Sequence, residues 1–154
     1  MDEKRFEKIK IFAEDIPTPC LIIDLDTIRN KYLELQATMP NYKVFYAVKA
    51  NPMDEVILLL AGLGSNFDLA SRYELDQMLR LGIEPSRLSF GNTIKKPEDI
   101  KYFHDKGVDF FATDSMIDLE NLAKYAPGSK ILFRILTEGT GADWPLSRKF
   151  GSHP

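Results

Sequence analysis

Val44-Phe45-Tyr46-Ala47-Val48-Lys49-Ala50-Asn51-Pro52 reads as a buried strand that ends in a lysine and is stopped at once by Asn-Pro. Val, Phe and Tyr favour a pleated, packed surface. Apolar residues on both faces suit a parallel strand covered on both sides. Pro52 has no N–H to give a ladder, so the strand is expected to end near Lys49. Alternation puts Phe45, Ala47 and Lys49 on one face and Val44, Tyr46 and Val48 on the other. A lysine at the carboxyl end of a buried strand stands where ligand sites form in α/β folds. Two readings of Lys49 are open. Its stem packs on apolar surface while its head reaches water. Or it is a Schiff-base lysine, a chemistry that needs a neutral amine and is helped by partial burial.

Downstream of this stretch the chain falls into a rhythm. Strands are expected to begin near Lys43, Asn66, Arg87, Asp109 and Lys130, spaced by about 22 residues. Helical patterns lie between them. Residues 53–63 carry Val56, Ile57 and Leu60, and residues 71–81 carry Leu75, Met78 and Leu79. Residues 97–106 carry Ile100 and Phe103, and residues 115–125 carry Ile117, Leu119 and Leu122. Ser71 with Glu74 three residues on has capping-box spacing. Pro97 suits a first helical turn, with Glu98 and Asp99 where the helix dipole favours acids. Gly82 and Gly107 sit where helices stop. Strands alternating with helices of this size imply βαβ units and a parallel sheet. An open doubly wound sheet and a closed barrel are both built this way. The near-constant period and the absence of a long crossover favour the barrel, of which about five strands are present; a whole one needs roughly 250 residues.

Upstream, residues 1–16 read as a charged leader containing a short amphipathic helix with Phe6, Ile9 and Phe12 at helical spacing. Residues 17–40 read as an opening strand, Cys20 to Ile23, and a helix from about Thr27 to Met39 with Ile28, Tyr32 and Leu35 on one stripe. Residues 41–154 form the incomplete barrel, and Thr137 to Pro154 is polar and Gly/Pro-rich with no further strand expected.

Composition narrows the function classes. The 154 residues are 44% hydrophobic and 28% charged, which suits a globular domain. A net charge of -3 and a pI near 5.4 point away from nucleic acid and anionic membrane surfaces. One cysteine, Cys20, excludes an internal disulfide, and with only His104 and His153 it makes a structural zinc site a poor fit. No apolar run reaches the length of a membrane span, and a cytoplasmic protein is expected.

The strand ends supply the chemistry. Asp68 shares a face with Asn66 and Ala70, away from Phe67 and Leu69. It reads either as a loop carboxylate or as an acid beside Lys49. Arg134 lies inside the apolar run Lys130-Ile131-Leu132-Phe133-Arg134-Ile135-Leu136, where an arginine needs a partner. Either an internal ion pair with an acid such as Asp68, or a phosphate or carboxylate ligand, would supply one.

Several of these stretches resemble one family. Phe45-Tyr46-Ala47-Val48-Lys49-Ala50-Asn51 looks like the pyridoxal-phosphate lysine motif of the fold-type III basic amino acid decarboxylases, which have an alanine-racemase-like barrel plus a β domain. Pro17-Thr18-Pro19-Cys20-Leu21-Ile22-Ile23-Asp24 resembles their start, and Phe67-Asp68-Leu69-Ala70-Ser71 with Glu74 resembles their second signature. Arg134 matches an arginine on their fifth barrel strand. Asp143-Trp144-Pro145-Leu146-Ser147-Arg148-Lys149-Phe150-Gly151 is most similar to the ornithine and lysine decarboxylase branch.

The resemblance implies an α/β fold, a partial (β/α)8 TIM-type barrel, with pyridoxal 5'-phosphate as cofactor. Lys49 would hold the cofactor and be the catalytic lysine. Asp68 would lie near the cofactor and that lysine, and Arg134 would contact the cofactor's ring side. Lys149 would sit near a homodimer interface, supporting the partner's active site. The intact protein would decarboxylate ornithine or lysine to putrescine or cadaverine, in polyamine biosynthesis. The family's later barrel strands, its glycine-rich phosphate loop, the histidine on the ring, the glutamate on the pyridine nitrogen and the C-terminal β domain have no counterpart here. The expectation is therefore a truncated chain without activity of its own. A non-catalytic pyridoxal-phosphate binder or decoy and an amino acid racemase are the alternatives; the Ser-Arg-Lys-Phe-Gly segment argues against the racemase.

Overall fold

The computed structural model describes residues 3–139, 141, 143 and 150–153. Five strands run in sequence order: β1 (Phe45–Ala47), β2 (Asn66–Leu69), β3 (Leu88–Phe90), β4 (Phe110–Thr113) and β5 (Lys130–Phe133). Each pairs in parallel with the next, giving the sheet order β1-β2-β3-β4-β5. Helices α1 (Glu3–Ala13) and α2 (Leu25–Thr38) precede the sheet. Helices α3 (Asp54–Gly62), α4 (Arg72–Arg80), α5 (Pro97–Asp105) and α6 (Met116–Tyr125) connect its strands.

A sheet whose order follows the chain without reversal, with right-handed crossovers, carries its helices on one face. The other face is concave. Strands β1 and β4 are three spacings apart, about 14 Å along a flat sheet. Yet the Phe45 and Phe110 rings meet edge to face with centroids 5.5 Å apart. The sheet therefore curls as a barrel arc, and the doubly wound alternative is excluded.

Alternation divides the strands as expected. Phe67 and Leu69 are fully buried under the helices, while Asn66 and Asp68 face the concave side. The helix side holds the core, with Val56, Ile57 and Leu60 from α3, Leu75 and Met78 from α4, and Ile100 and Phe103 from α5. At its centre Phe90 stacks on Phe103, centroids 3.9 Å apart and rings 10° from parallel.

Local chemistry sets the helix ends. Ser71 caps α4 by accepting from the Glu74 N–H, and the Glu74 carboxylate reaches back to accept from the Ala70 N–H, one residue beyond an ordinary capping box. Pro97 is the first residue of α5. Gly82 and Gly107 leave α4 and α5 with φ of +75° and +88°.

Three expectations are corrected. Cys20–Ile23 forms no strand: among the described residues β1 is the sheet edge and none offers it a ladder, and Leu21 is exposed. Ile117, expected on the buried stripe of α6, faces solvent, while Asp118 and Leu122, four apart, face inward. Strand β1 ends at Ala47 rather than Lys49, and Val48–Ala50 makes a 3-10 turn.

Helix α1 buries no residue. Among the described residues it is tied to the body by the Arg5 guanidinium, paired through two nitrogens with the Asp24 carboxylate. Asp24 also caps α2 by accepting from the Thr27 N–H at 3.1 Å. These donors hold its carboxyl far below the usual carboxylate range, the Arg5 contact most of all. No helix among the described residues is long and apolar enough to cross a membrane.

Candidate functional site

The carboxyl ends of the strands meet at one rim, and their polar residues line a cleft of about 400 Å³. Lys49 enters from the turn after β1, Asp68 from β2, and Arg134 from the residue after β5. Gly91 and Asn92 supply the wall after β3, and Phe150 closes the far side. The 3-10 turn keeps Lys49 on the concave side despite the early end of the strand.

The register explains the convergence. Ala47, Asp68 and Ser89 are lateral partners, so their side chains form one row across the sheet. Asp68 accepts a hydrogen bond from the Ser89 hydroxyl at 2.8 Å. Burial raises its pKa, and the Ser89 hydroxyl, Lys49 and Arg134, in that order, act against the shift.

Arg134 is the most constrained member. Its N–H donates to the Thr113 carbonyl at 2.8 Å, continuing the β4–β5 ladder. Its guanidinium carbon lies 4.2 Å from the Phe150 ring centroid, and Nη2 is 3.7 Å from Asp114 Oδ2. The chain after Phe150 returns to this strand end. The Ser152 N–H donates to the Arg134 carbonyl at 3.0 Å, and the Leu136 N–H donates to the Ser152 carbonyl at 2.8 Å. Asp114 Oδ2 accepts from the Gly151 N–H at 3.2 Å. Gly151 has φ +96°, and a Cβ there would lie 2.8 Å from the Ile135 carbonyl carbon, so only glycine passes this point.

Of the four expected site residues, Lys49, Asp68 and Arg134 come together; Lys149 lies outside the described residues. Sequence reading missed Asp114, which occupies after β4 the place that Lys49 and Arg134 occupy after their strands. The same rule applied to the fourth strand would have found it. Phe150 was named only within the Ser-Arg-Lys-Phe-Gly stretch. Lys95, in the loop between β3 and α5, was not singled out by the sequence. Its side chain is fully buried, donating to the Ala112 carbonyl at 2.7 Å and the Asn92 carbonyl at 3.0 Å beside Asp118.

Comparison with known proteins gives the site its context. The family described as pyridoxal-dependent decarboxylase, pyridoxal binding domain, matches residues 25–154. This chain belongs to that family. A lysine/ornithine decarboxylase of Selenomonas ruminantium is 37% identical over 146 residues, covering 95% of this chain and 37% of its own. A mutant of SrLDC crystallised in complex with PLP superposes with a TM-score of 0.87 at 37% identity, over 99% of this chain and 39% of that one. The lysine/ornithine decarboxylase of Vibrio vulnificus complexed with putrescine gives a TM-score of 0.84 at 27% identity, over 100% of this chain and 40% of that one. The chain thus spans well under half the length of these pyridoxal-dependent decarboxylases.

The cofactor of this domain family is pyridoxal phosphate, and the residues present fit it. Lys49 offers a primary amine at the cleft. Arg134 Nε is buried without a hydrogen-bond partner among the described residues, leaving a donor for an incoming acceptor. No group of metal-ligating side chains occurs among the described residues.

Proposed function

We propose that this chain is the cofactor-holding half-barrel of a pyridoxal-phosphate-dependent decarboxylase of basic amino acids, of the ornithine/lysine type. The observation that carries this reading is the convergence of Lys49, Asp68 and Arg134, from three different strands, on one cleft in a pyridoxal-binding domain. When bound, the cofactor supplies an electron sink for the bond to the α-carboxylate.

The chain's own residues do the rest. Lys49 would hold the cofactor through its primary amine at the cleft. Asp68 holds a carboxylate beside that amine, and its raised pKa lets it carry a proton nearer neutrality than an exposed acid would. Arg134, braced by Asp114 and the Phe150 ring, would help hold the cofactor in the cleft. Lys149 acts near the interface of a homodimer. The substrate is ornithine or lysine, the product putrescine or cadaverine, the setting polyamine biosynthesis in the cytoplasm.

The test is to mix the purified chain with pyridoxal phosphate, reduce with borohydride, and locate the adduct by mass spectrometry. A single adduct on Lys49, absent in Lys49→Ala, is expected. Labelling scattered over exposed lysines would overturn the assignment of Lys49.

A further inference from the structure

The Asp68 carboxylate does not reach freely into the cleft. It lies across β3. Its lateral partner Ser89, only 6% exposed, donates to Oδ1 at 2.8 Å. Two residues further on, just past the end of β3, is Gly91. A Cβ built there would fall inside contact distance of both carboxylate oxygens and 2.5 Å from Asp68 Cγ. The three heavy atoms nearest that Cβ all belong to Asp68. The space beside Gly91 is therefore filled by one carboxylate. The backbone there is already fixed, since the Gly91 N–H donates to the Leu69 carbonyl at 2.9 Å.

We propose that Ser89 and Gly91 are positioning residues for Asp68: the hydroxyl holds the carboxylate over β3, and the missing side chain leaves the place it occupies. Strand β3 then sets how far the acid stands from the Lys49 amine. An aspartate has two side-chain torsions and several rotamers open to it at a rim. One hydroxyl and one absent methyl reduce these to a single placement. Substituting Gly91 by alanine would displace the carboxylate from β3, while substituting Ser89 by alanine would leave its place open but unanchored. The charged groups acting on Asp68 are Lys49 after β1 and Arg134 after β5, and neither is altered by these variants. The importance of this placement for cofactor chemistry rests on the function proposed above; the placement itself does not.

Two measurements on the full 154-residue chain without cofactor test it. The first follows the Asp68 carboxyl carbon by NMR as pH is varied. Loss of the hydroxyl in Ser89→Ala removes a bond to the ionised form, so the midpoint rises, by about half a pH unit or more; Ser89→Thr, which keeps a hydroxyl, stays near the parent value. The second is a double-mutant cycle read by thermal melting. Gly91→Ala lowers Tm by about 5 °C or more through overpacking, whereas Gly91→Ala placed on Asp68→Ala melts within about 1 °C of Asp68→Ala alone. An unchanged Asp68 midpoint in Ser89→Ala, or an equal Gly91→Ala loss in both backgrounds, overturns the proposal. Should Ser89→Ala not fold, the Gly91 cycle decides. Neither readout uses pyridoxal phosphate, so scattered borohydride labelling alongside a positive cycle would reject the cofactor role and keep the positioning.

Discussion

Lys95 Nζ sits 2.6 Å from Asp118 Oδ2, with the lysine side chain wholly shielded from solvent and the aspartate side chain 8% exposed. The pair joins the loop after β3 to α6, and the same amine holds the Asn92 and Ala112 carbonyls. Burial pushes the Lys95 pKa down, and Asp118 opposes the shift. Asp118→Ala leaves that cation without its ion-pair partner, with Asp114 as the remaining acid acting on it, and is expected to lose about 3 kcal/mol at pH 7 by urea unfolding. The sign of the pH dependence follows from proton uptake. A lysine whose pKa is lower folded than unfolded binds fewer protons in the native state, so this group's contribution to stability rises with pH toward its unfolded pKa. The deficit of Asp118→Ala should therefore shrink between pH 7 and 10. A deficit that grows with pH would contradict the burial of a charged Lys95.

Among the described residues, helix α1 is ion-paired to the body through Arg5 and Asp24, and none of its residues is fully buried. Arg5→Ala should release it. Trypsin is then expected to cut at Lys8 and Lys10 several-fold faster than in the parent, with the main melting transition nearly unchanged. Because the Asp24 pKa is lowered, its pairing is complete above the unfolded carboxylate range and is lost as pH falls below it.

Gly151 passes where a Cβ would strike the Ile135 carbonyl carbon, at a φ of +96°. Gly151→Ala should break the return of the chain to the end of β5. Hydrogen exchange is the direct check: the amides of Ser152 and Leu136, which bond across this junction, should lose protection, while those of Phe67 and Leu69 keep theirs.

All four residues of β5 are exposed, with Leu132 at 52%, and along Lys130–Phe133 the described residues pair it on one side only. Apolar unpaired edges associate. The purified chain is expected to self-associate with rising concentration in sedimentation velocity, and Leu132→Lys to shift it toward monomer without lowering Tm. A monodisperse parent would remove the edge from consideration.

How much of this could be read from the sequence depends on the range of the interaction. The β2 and β5 starts fall at Asn66 and Lys130 as the 22-residue rhythm predicts, because a βα unit is a local object whose period, caps and glycines lie within one short window. Lys49, Asp68 and Arg134 could be named from their places at the ends of apolar strands, but each had two readings there, and only the family resemblance gave them roles; their convergence on one cleft is visible only in the fold. The misses are nonlocal. Asp118 faces inward because Lys95 from another loop meets it there, which no pattern within α6 announces. Cys20–Ile23 has strand composition, but a ladder needs a neighbour and the sheet begins at β1. The Ser89–Asp68–Gly91 arrangement depends on which residues the register sets side by side, and register is invisible until two strands are paired.

The sequential strand order has a consequence for how the chain is made. Lateral partners lie about one unit apart: Phe45 with Asn66, Phe67 with Leu88, Phe90 with Phe111, Phe110 with Lys130. At ribosomal speeds of about 5–20 residues per second, each strand meets its partner roughly one to four seconds after it is synthesised. The sheet can grow in the order of translation, adding one strand at a time to a single advancing edge. Lys49 then leaves the ribosome before Asp68 and Arg134 leaves last, so the cleft is completed only as the fifth strand docks.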